Sequence, residues 1–294
     1  MLSETQKKVL YKIVLPLTGT ATANISLHAT GGGSVNEAYR VRINGRMNYF
    51  LKINASSPYN DFFEKEKLGL EYLKKQNTIR LPGVIALYTE RNFQLLLLEW
   101  VEQSVPSANF WTVFGEQLAA LHQISATQFG FETNNYMGAL YQSNSFSNHW
   151  TDFFIENRLK PQLKIAVEKK LLENKQVFLF EKLYNKLDGI FDQEKPALLH
   201  GDLWSGNYLC DENGRPVLID PAIYYGHRNV DLAMTTLFGR FDPVFYEAYN
   251  YHYPLPNNYR EQWDICNLYP LLIHLNLFGR TYLSQIDSIL KNYA

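Results

Sequence analysis

The hydrophobic pattern of this chain changes period once. Up to about residue 103 apolar residues recur mostly at alternate positions, and beyond it they recur mostly at helical spacing. Tyr39, Val41 and Ile43 alternate with Arg40 and Arg42, and Asn44-Gly45 is the preferred pair for a two-residue hairpin turn. The return strand Met47–Ile53 then sets Tyr49, Leu51 and Ile53 on one face, with Phe50 and Lys52 on the other. Asn24–Thr30 is weakly strand-like, and Val84–Tyr88 with Phe93–Val101 forms a second hairpin through Glu90-Arg91-Asn92. Helices are expected at Leu2–Val14 and Pro58–Gln76, the latter with Phe62, Phe63, Leu70 and Leu73 on its apolar side.

After a short link at Glu102–Pro106, Phe110, Phe114, Leu118 and Leu121 mark a helix, and others are expected near Trp150–Lys170 and Val177–Asp192. Ala197–His200, Tyr208–Cys210 and Val217–Ile219 are short strands, the last two joined at Asn213-Gly214, and the chain from Val230 onward reads as helical. The pattern predicts an α+β fold of two lobes, residues 1–102 with an antiparallel sheet and residues 103–294 mainly helical. A length of 294 residues fits two such units at roughly 150 residues per domain.

Composition narrows the function. A net charge of −1 offers no basic field for phosphate backbones, so nucleic-acid binding is not expected. The longest apolar run, Val84–Tyr88, has five residues, against roughly 18 for a membrane span. The first residues lack a signal-peptide h-region. Cys210 and Cys266 form no CxxC pair, and no HExxH or close histidine pair suggests zinc. A cytoplasmic protein is expected. Oligomeric state stays open, with a monomer the expectation.

The chemistry concentrates in Leu199–Asn207, LHGDLWSGN, and Val217–Pro221, VLIDP. Four residues separate Asp202 from Asn207, and twelve separate Asn207 from Asp220. Phosphoryl transfer needs a carboxylate at the attacking hydroxyl and oxygen ligands for a magnesium ion on the nucleotide phosphates. A hairpin at Asn213-Gly214 would return Asp220 beside Asn207. Taken singly, Asp202 and Asn207 are what Asx turns use in glycine-containing loops. The full spaced set is what points to chemistry.

Other features fit the same chemistry. Gly31-Gly32-Gly33 lies between two strands, where backbone amides can approach phosphates. Lys52 follows one hairpin later, and Glu64 or Glu66 on the next helix can pair with it. Glu66 is preferred because it shares the i, i+4 row of Phe62 and Leu70. At the lobe junction the segment Leu95–Val101 ends the strand-rich part, and in a cleft enzyme its backbone can hydrogen-bond a purine edge. Singly, the glycines read as a flexible turn, Lys52 as solvated, the glutamate as surface and the junction as a buried strand.

In this order the residues resemble the protein-kinase-like phosphotransferases that act on small molecules. Within them, GGGSVNEAYRV, FLKIN, HGDLWSGN, PVLIDPAIYYGHRNVDLAMTTLFG and FYEAYNYHYPL resemble the fructosamine (ketosamine) kinase family over essentially the whole chain. HGDxxxxN is shared with aminoglycoside and choline kinases, whereas the Trp204-Ser205-Gly206 infill and Ile219–Gly239 are more specific. The resemblance implies an ATP:ketosamine 3-phosphotransferase that phosphorylates the sugar of an Amadori-type adduct for deglycation repair. It further implies Asp202 as the group that orients or deprotonates the sugar hydroxyl, and Asn207 and Asp220 as Mg²⁺ ligands. Lys52, held by Glu66, would contact phosphates beneath Gly31, Gly32 and Gly33. Glu99 to Val101 would receive the adenine of ATP. Trp204 would stack on the ketosamine, or else serve as a core aromatic.

Asp231 would brace the catalytic loop, and Tyr224 and Tyr225 would pack. Asp220-Pro221-Ala222 stands where protein kinases have Asp-Phe-Gly, and Ser34 stands where some relatives carry a redox-sensitive cysteine, so neither a flipping segment nor that regulation is expected. Two alternatives remain: a kinase of another small hydroxyl compound, of aminoglycoside or choline type, and an inactive nucleotide-binding protein.

Overall fold

The structure, a computed structural model, describes residues 2–31, 36–55, 59–90 and 92–294. Helix α1 (Glu4–Thr18) opens on a capping box between Ser3 and Gln6 and runs past the expected Val14. Strands β1 (Ile25–Ala29), β2 (Glu37–Ile43), β3 (Met47–Asn54), β4 (Val84–Glu90) and β5 (Phe93–Glu99) form one antiparallel sheet in the order β1-β2-β3-β5-β4. Asn44 and Gly45 take φ of 51° and 68°, as the two-residue hairpin requires. Helix α2 (Phe62–Gln76) begins at Phe62 rather than at Pro58, and Pro58 lies outside the described residues.

Alternation along the strands divides the sheet between two cores. Val41, Ile43, Leu51, Ile53, Leu95 and Leu97 pack with Leu10 and Val14 of α1 on one face. Leu96 and Leu98 face the other way and join Phe63, Leu70 and Leu73 of α2. The run Leu95–Leu98 has no polar alternation because β5 is buried on both faces. The second core continues from α2 into the helical part of the chain. The boundary of apolar packing therefore runs through the middle of the sheet.

The rest of the chain comprises α3 (Phe110–His122), a small hairpin β6–β7 (Asn135–Met137, Leu140–Gln142), α4 (Trp150–Phe154), α5 (Lys160–Glu168), α6 (Asn174–Tyr184) and α7 (Leu187–Ile190). Then come β8 (Ala197–Leu199), β9 (Tyr208–Cys210), β10 (Pro216–Leu218), β11 (Tyr224–Gly226), α8 (Asn229–Met234), α9 (Pro243–His252), α10 (Tyr259–Phe278) and α11 (Leu283–Tyr293). A π-helical turn, Ile155–Leu159, joins α4 to α5, so the expected helix near Trp150–Lys170 is continuous but underwound at its middle. The expected helix Val177–Asp192 is split into α6 and α7. Strand β11 pairs with β8, and Tyr224 is fully buried, as a packing residue should be. Among the described residues no helix is long and apolar enough to cross a membrane.

Arg80 ties the sheet to the helical part at the junction. Its guanidinium donates to Glu99 at 2.8 Å and to Asp211, just past β9, at 2.7 Å, while its carbonyl accepts from Leu218 N–H at 2.9 Å. Behind the site α3 and α9 cross closely at Gly115, where a Cβ would stand 2.3 Å from the Phe245 carbonyl oxygen. That backbone cannot yield locally, so Gly115→Ala should destabilise the fold by about 1–3 kcal/mol, the usual range for overpacking. Urea unfolding measures it. A midpoint equal to wild type would mean that the two helices part freely.

Candidate active site

The sheet and the helical part enclose a cleft of 480 Å³, and the site residues line it from both sides. From the sheet, Lys52 projects from β3 on the face away from Leu51 and Ile53 and donates to both carboxylate oxygens of Glu66 at 2.8 and 2.9 Å. Glu66 is buried on α2, whereas Glu64 is exposed, which resolves the choice between them. Across the cleft, Asp220 Oδ1 approaches the same ammonium at 2.9 Å.

The opposite wall is built by the segment between β8 and β10. Strands β9 and β10 pair in register Tyr208↔Leu218, and Ile219 N–H donates to the Asn207 carbonyl at 3.1 Å. The hairpin thereby returns Asp220 beside Asn207, as the Asn213-Gly214 turn implies. Asn207 Nδ2 donates to the Asp202 carbonyl at 2.7 Å and to Asp202 Oδ2 at 2.9 Å. With its nitrogen committed to Asp202, the amide oxygen of Asn207 is the atom left to serve as a ligand. Asp220 itself takes a left-handed backbone, φ 56°.

Asp231 secures this loop from beneath. Its fully buried carboxylate accepts the His200 N–H at 2.7 Å and the Gly201 N–H at 2.8 Å, and His122 Nε2 lies 3.2 Å away. His200 Nε2 donates to the Ile219 carbonyl at 2.9 Å, and Nδ1 accepts from Asp202 N–H at 3.3 Å, a pattern that needs the neutral ring. Burial lowers the His200 pKa and keeps it neutral, against the pull of Asp231. Two residues before Asp202, the chain is thus held at both edges of one imidazole.

The electrostatics separate the titratable groups. Burial alone would depress the Lys52 ammonium, but the Asp220 and Glu66 charges outweigh it and raise its pKa. Asp202 is pushed from its ordinary 3.8 up to about 7, by desolvation first and by the Asp220 charge second, with the Asn207 hydrogen bond opposing both. A carboxyl that titrates near neutrality can exchange a proton with a substrate hydroxyl.

The remaining expected residues are placed as follows. Gly31 lines the cleft, while Gly32 and Gly33 lie outside the described residues. Glu99, Trp100 and Val101 all line it. The Glu99 carboxylate, however, is taken by Arg80 and by the Gly83 N–H at 2.9 Å, which leaves only its backbone to face a ligand. The Trp100 indole N–H donates to Glu102 at 2.8 Å, and the Arg40 guanidinium lies 4.5 Å over its ring. Trp204 is half-buried: it lines the cleft, stands edge-on to Phe238 at 6.0 Å and packs against the border of the core. Asn135, Tyr136 and Gly138, from the β6–β7 hairpin, also line the cleft and were not expected. Strands of three residues leave almost no alternation, and Gly138 at the turn is the one available signal.

Among the described residues no group of three or more His, Cys, Asp or Glu gathers to hold a metal. That fits magnesium on a nucleotide, which takes one or two protein oxygens and completes its shell with phosphates and water. Asp220 and the Asn207 amide oxygen are such a donor pair.

A strand lysine paired to a helix carboxylate, facing an HGDxxxxN loop and a strand-terminal Asp across a cleft, defines a protein-kinase-like small-molecule phosphotransferase. The fructosamine kinase family model matches residues 8–294, and the chain belongs to that family. A protein of Enterococcus faecium named probable ketoamine kinase is 40% identical over 264 residues, covering 89% of this chain and 93% of its own. The chloroplastic protein-ribulosamine 3-kinase of Arabidopsis thaliana is 35% identical over 284 residues, covering 94% and 84%. A Haemophilus somnus crystal structure bearing the name fructosamine-3-kinase superposes with a TM-score of 0.86 at 30% identity, covering 97% and 96%.

The raised Asp202 pKa has a consequence for stability. The unfolded carboxyl titrates near 3.8 and the folded one near 7, so the folded state holds the extra proton between them. The destabilisation from the buried charge grows as pH rises through that window and is complete above it. In nucleotide-free protein Asp202→Asn should therefore raise Tm at pH 8, with the gain shrinking towards pH 5. Scanning calorimetry at the two pH values tests this, and a variant less stable than wild type at pH 8 would contradict it.

Proposed function

We propose that the chain is an ATP-dependent ketosamine 3-kinase, acting on ribulosamine- or fructosamine-type adducts in deglycation repair. The observation that carries this reading is the convergence of Lys52, Glu66, Asp202, Asn207 and Asp220 on one cleft in a chain of the fructosamine kinase family. On this reading residues 1–102 form the lobe that covers the nucleotide, and residues 103–294 form the lobe that holds the ketosamine. Adenine lies against Ala38, Leu98, Val101, Leu209 and Ile219, with its edge on the backbone of Glu99 to Val101. Gly31, which lines the cleft, covers the phosphates.

Lys52, fixed by Glu66, contacts the α/β-phosphates. Asn207 and Asp220 hold Mg²⁺, which neutralises charge on the transferring phosphoryl group when bound. Asp202 orients the sugar O3 hydroxyl and takes its proton as the new O–P bond forms and the bond to the nucleotide breaks. Trp204 offers its ring to the ketosamine beside Asp202. Every residue in this scheme comes from one chain, so a monomer suffices. Two free, buried cysteines suit a reducing cytoplasm.

Asp202→Asn should lower kcat by roughly 10²–10⁴, the range for a positioned acid–base group, with the KM for ATP little changed. Turnover at the wild-type rate would remove Asp202 from the mechanism. ATP turnover on ribulosamine, fructosamine, choline and kanamycin distinguishes the readings. Activity confined to choline or kanamycin, or tight ATP binding with no transfer, would overturn the assignment.

A further inference from the structure

Two arginines are buried among the described residues; Arg228 is paired with Glu194 at 2.7 Å, and Arg158 has no carboxylate beside it. Arg158, in the π-helical turn, is fully buried, and its guanidinium meets only neutral acceptors and ring faces. It donates to the Ser143 carbonyl, to the Asn157 carbonyl at 3.1 Å and to Asn144 Oδ1 at 2.7 Å, with the Tyr224 ring 4.0 Å away. A buried cation is ordinarily paired with an anion. Here two of its hydrogen bonds end on backbone carbonyls and one on the Asn144 carboxamide, which leads into a buried amide cluster.

Asn144, turned by Arg158, donates through Nδ2 to Asn135 Oδ1 at 3.2 Å and to the Thr133 carbonyl at 3.0 Å. Gln142 Nε2 donates to Asn135 Oδ1 at 2.7 Å, and Gln142 Oε1 accepts the Tyr269 hydroxyl at 2.8 Å. All five of these side chains, Arg158, Asn144, Asn135, Gln142 and Tyr269, are buried, none more than 7% exposed. The cluster ends on backbone: Asn135 Nδ2 donates to the Ile223 carbonyl at 2.8 Å and Gln142 Nε2 reaches the Ala222 carbonyl at 3.3 Å.

Those carbonyls lie two and three residues past Asp220. On the other side, Ile219 is held at N–H by Asn207 and at its carbonyl by His200, and Ala222 N–H donates to the His200 carbonyl at 2.8 Å. Asp220 sits between two anchored stretches in a left-handed conformation that a non-glycine residue keeps only when its surroundings over-determine it. We propose that Asn135 and Gln142, oriented by Asn144, Arg158 and Tyr269, are positioning residues for the metal-binding carboxylate of Asp220. The β6–β7 hairpin replaces the freedom of an Asp-Phe-Gly segment with a fixed one. This rests on the reading of Asp220 as a magnesium ligand.

The test follows Mn²⁺ binding to the full-length protein with a non-hydrolysable ATP analogue by electron paramagnetic resonance, beside the Mg²⁺ dependence of kcat and the affinity for metal-free ADP. Asn135→Leu should weaken Mn²⁺ binding by roughly 10–100-fold, the range for partners that orient a metal ligand, and leave metal-free ADP affinity unchanged. Tyr269→Phe removes one hydroxyl from the far end of the cluster and should weaken it by about threefold, giving a result even if Asn135→Leu does not fold. A fall in Tm in either variant with unchanged Mn²⁺ affinity would show a purely structural role and overturn the proposal. Asp220→Asn serves as the reference. If it too leaves Mn²⁺ affinity unchanged, the metal reading fails. If it alone weakens binding, that reading stands and the inference falls.

Discussion

The ammonium of Lys52 holds the two halves of the molecule in register. Its side chain is 7% exposed, and taking one such charge out of water costs several kcal/mol even after relaxation. Two carboxylates from different parts of the chain compensate, Glu66 from α2 and Asp220 from the opposite wall. Losing either one leaves the ammonium a single partner, and displacing Glu66 would also strand its own buried carboxylate. The distance between sheet and helical part is therefore set by electrostatics at the cleft as well as by the apolar core that runs through α2.

The same triad leaves the cleft with a charge surplus. Lys52 answers two carboxylates, and the charge on Asp220 is among the causes that lift Asp202 towards neutrality. A cleft that concentrates negative charge around one lysine favours a divalent cation and disfavours a bare anion. On the proposed assignment, a divalent cation held at Asp220 would offset the charge that lifts Asp202 and so would ease ionisation of that carboxyl.

Much of this was readable from residue order. Asn44-Gly45 set the register of β2 and β3, which decided that Lys52 faces α2 while Leu51 and Ile53 face α1. Helical spacing from Phe62 to Leu70 separated Glu66 from Glu64, and the Asn213-Gly214 hairpin brought Asp220 to Asn207. Local periodicity and turn chemistry carry these because each depends on residues close in sequence. What stayed hidden depends on partners far apart. Asn134, Asn135, Gln142 and Asn144 have the composition of a solvated loop, and Arg158 that of a helix surface. A buried carboxamide satisfied by a distant carbonyl leaves no mark on the local pattern. For the same reason the Glu99 side chain looks available to a ligand until Arg80, nineteen positions away, is seen to hold it.

The hidden part and the readable part do different work. Spacing delivers the side chains to the cleft, but Asp220 in a left-handed backbone would relax if only its own strand held it. The carbonyls that follow it are fixed by amides from β6–β7, and the residue before it by Asn207 and His200. A loop secured at both ends has little to gain from flipping and pays no reorganisation when the ligand arrives. Preorganisation of this kind would do without a phenylalanine hinge, because a buried polar cluster outside the motif, with its amides satisfied, stands in place of the adjustable packing of an aromatic ring.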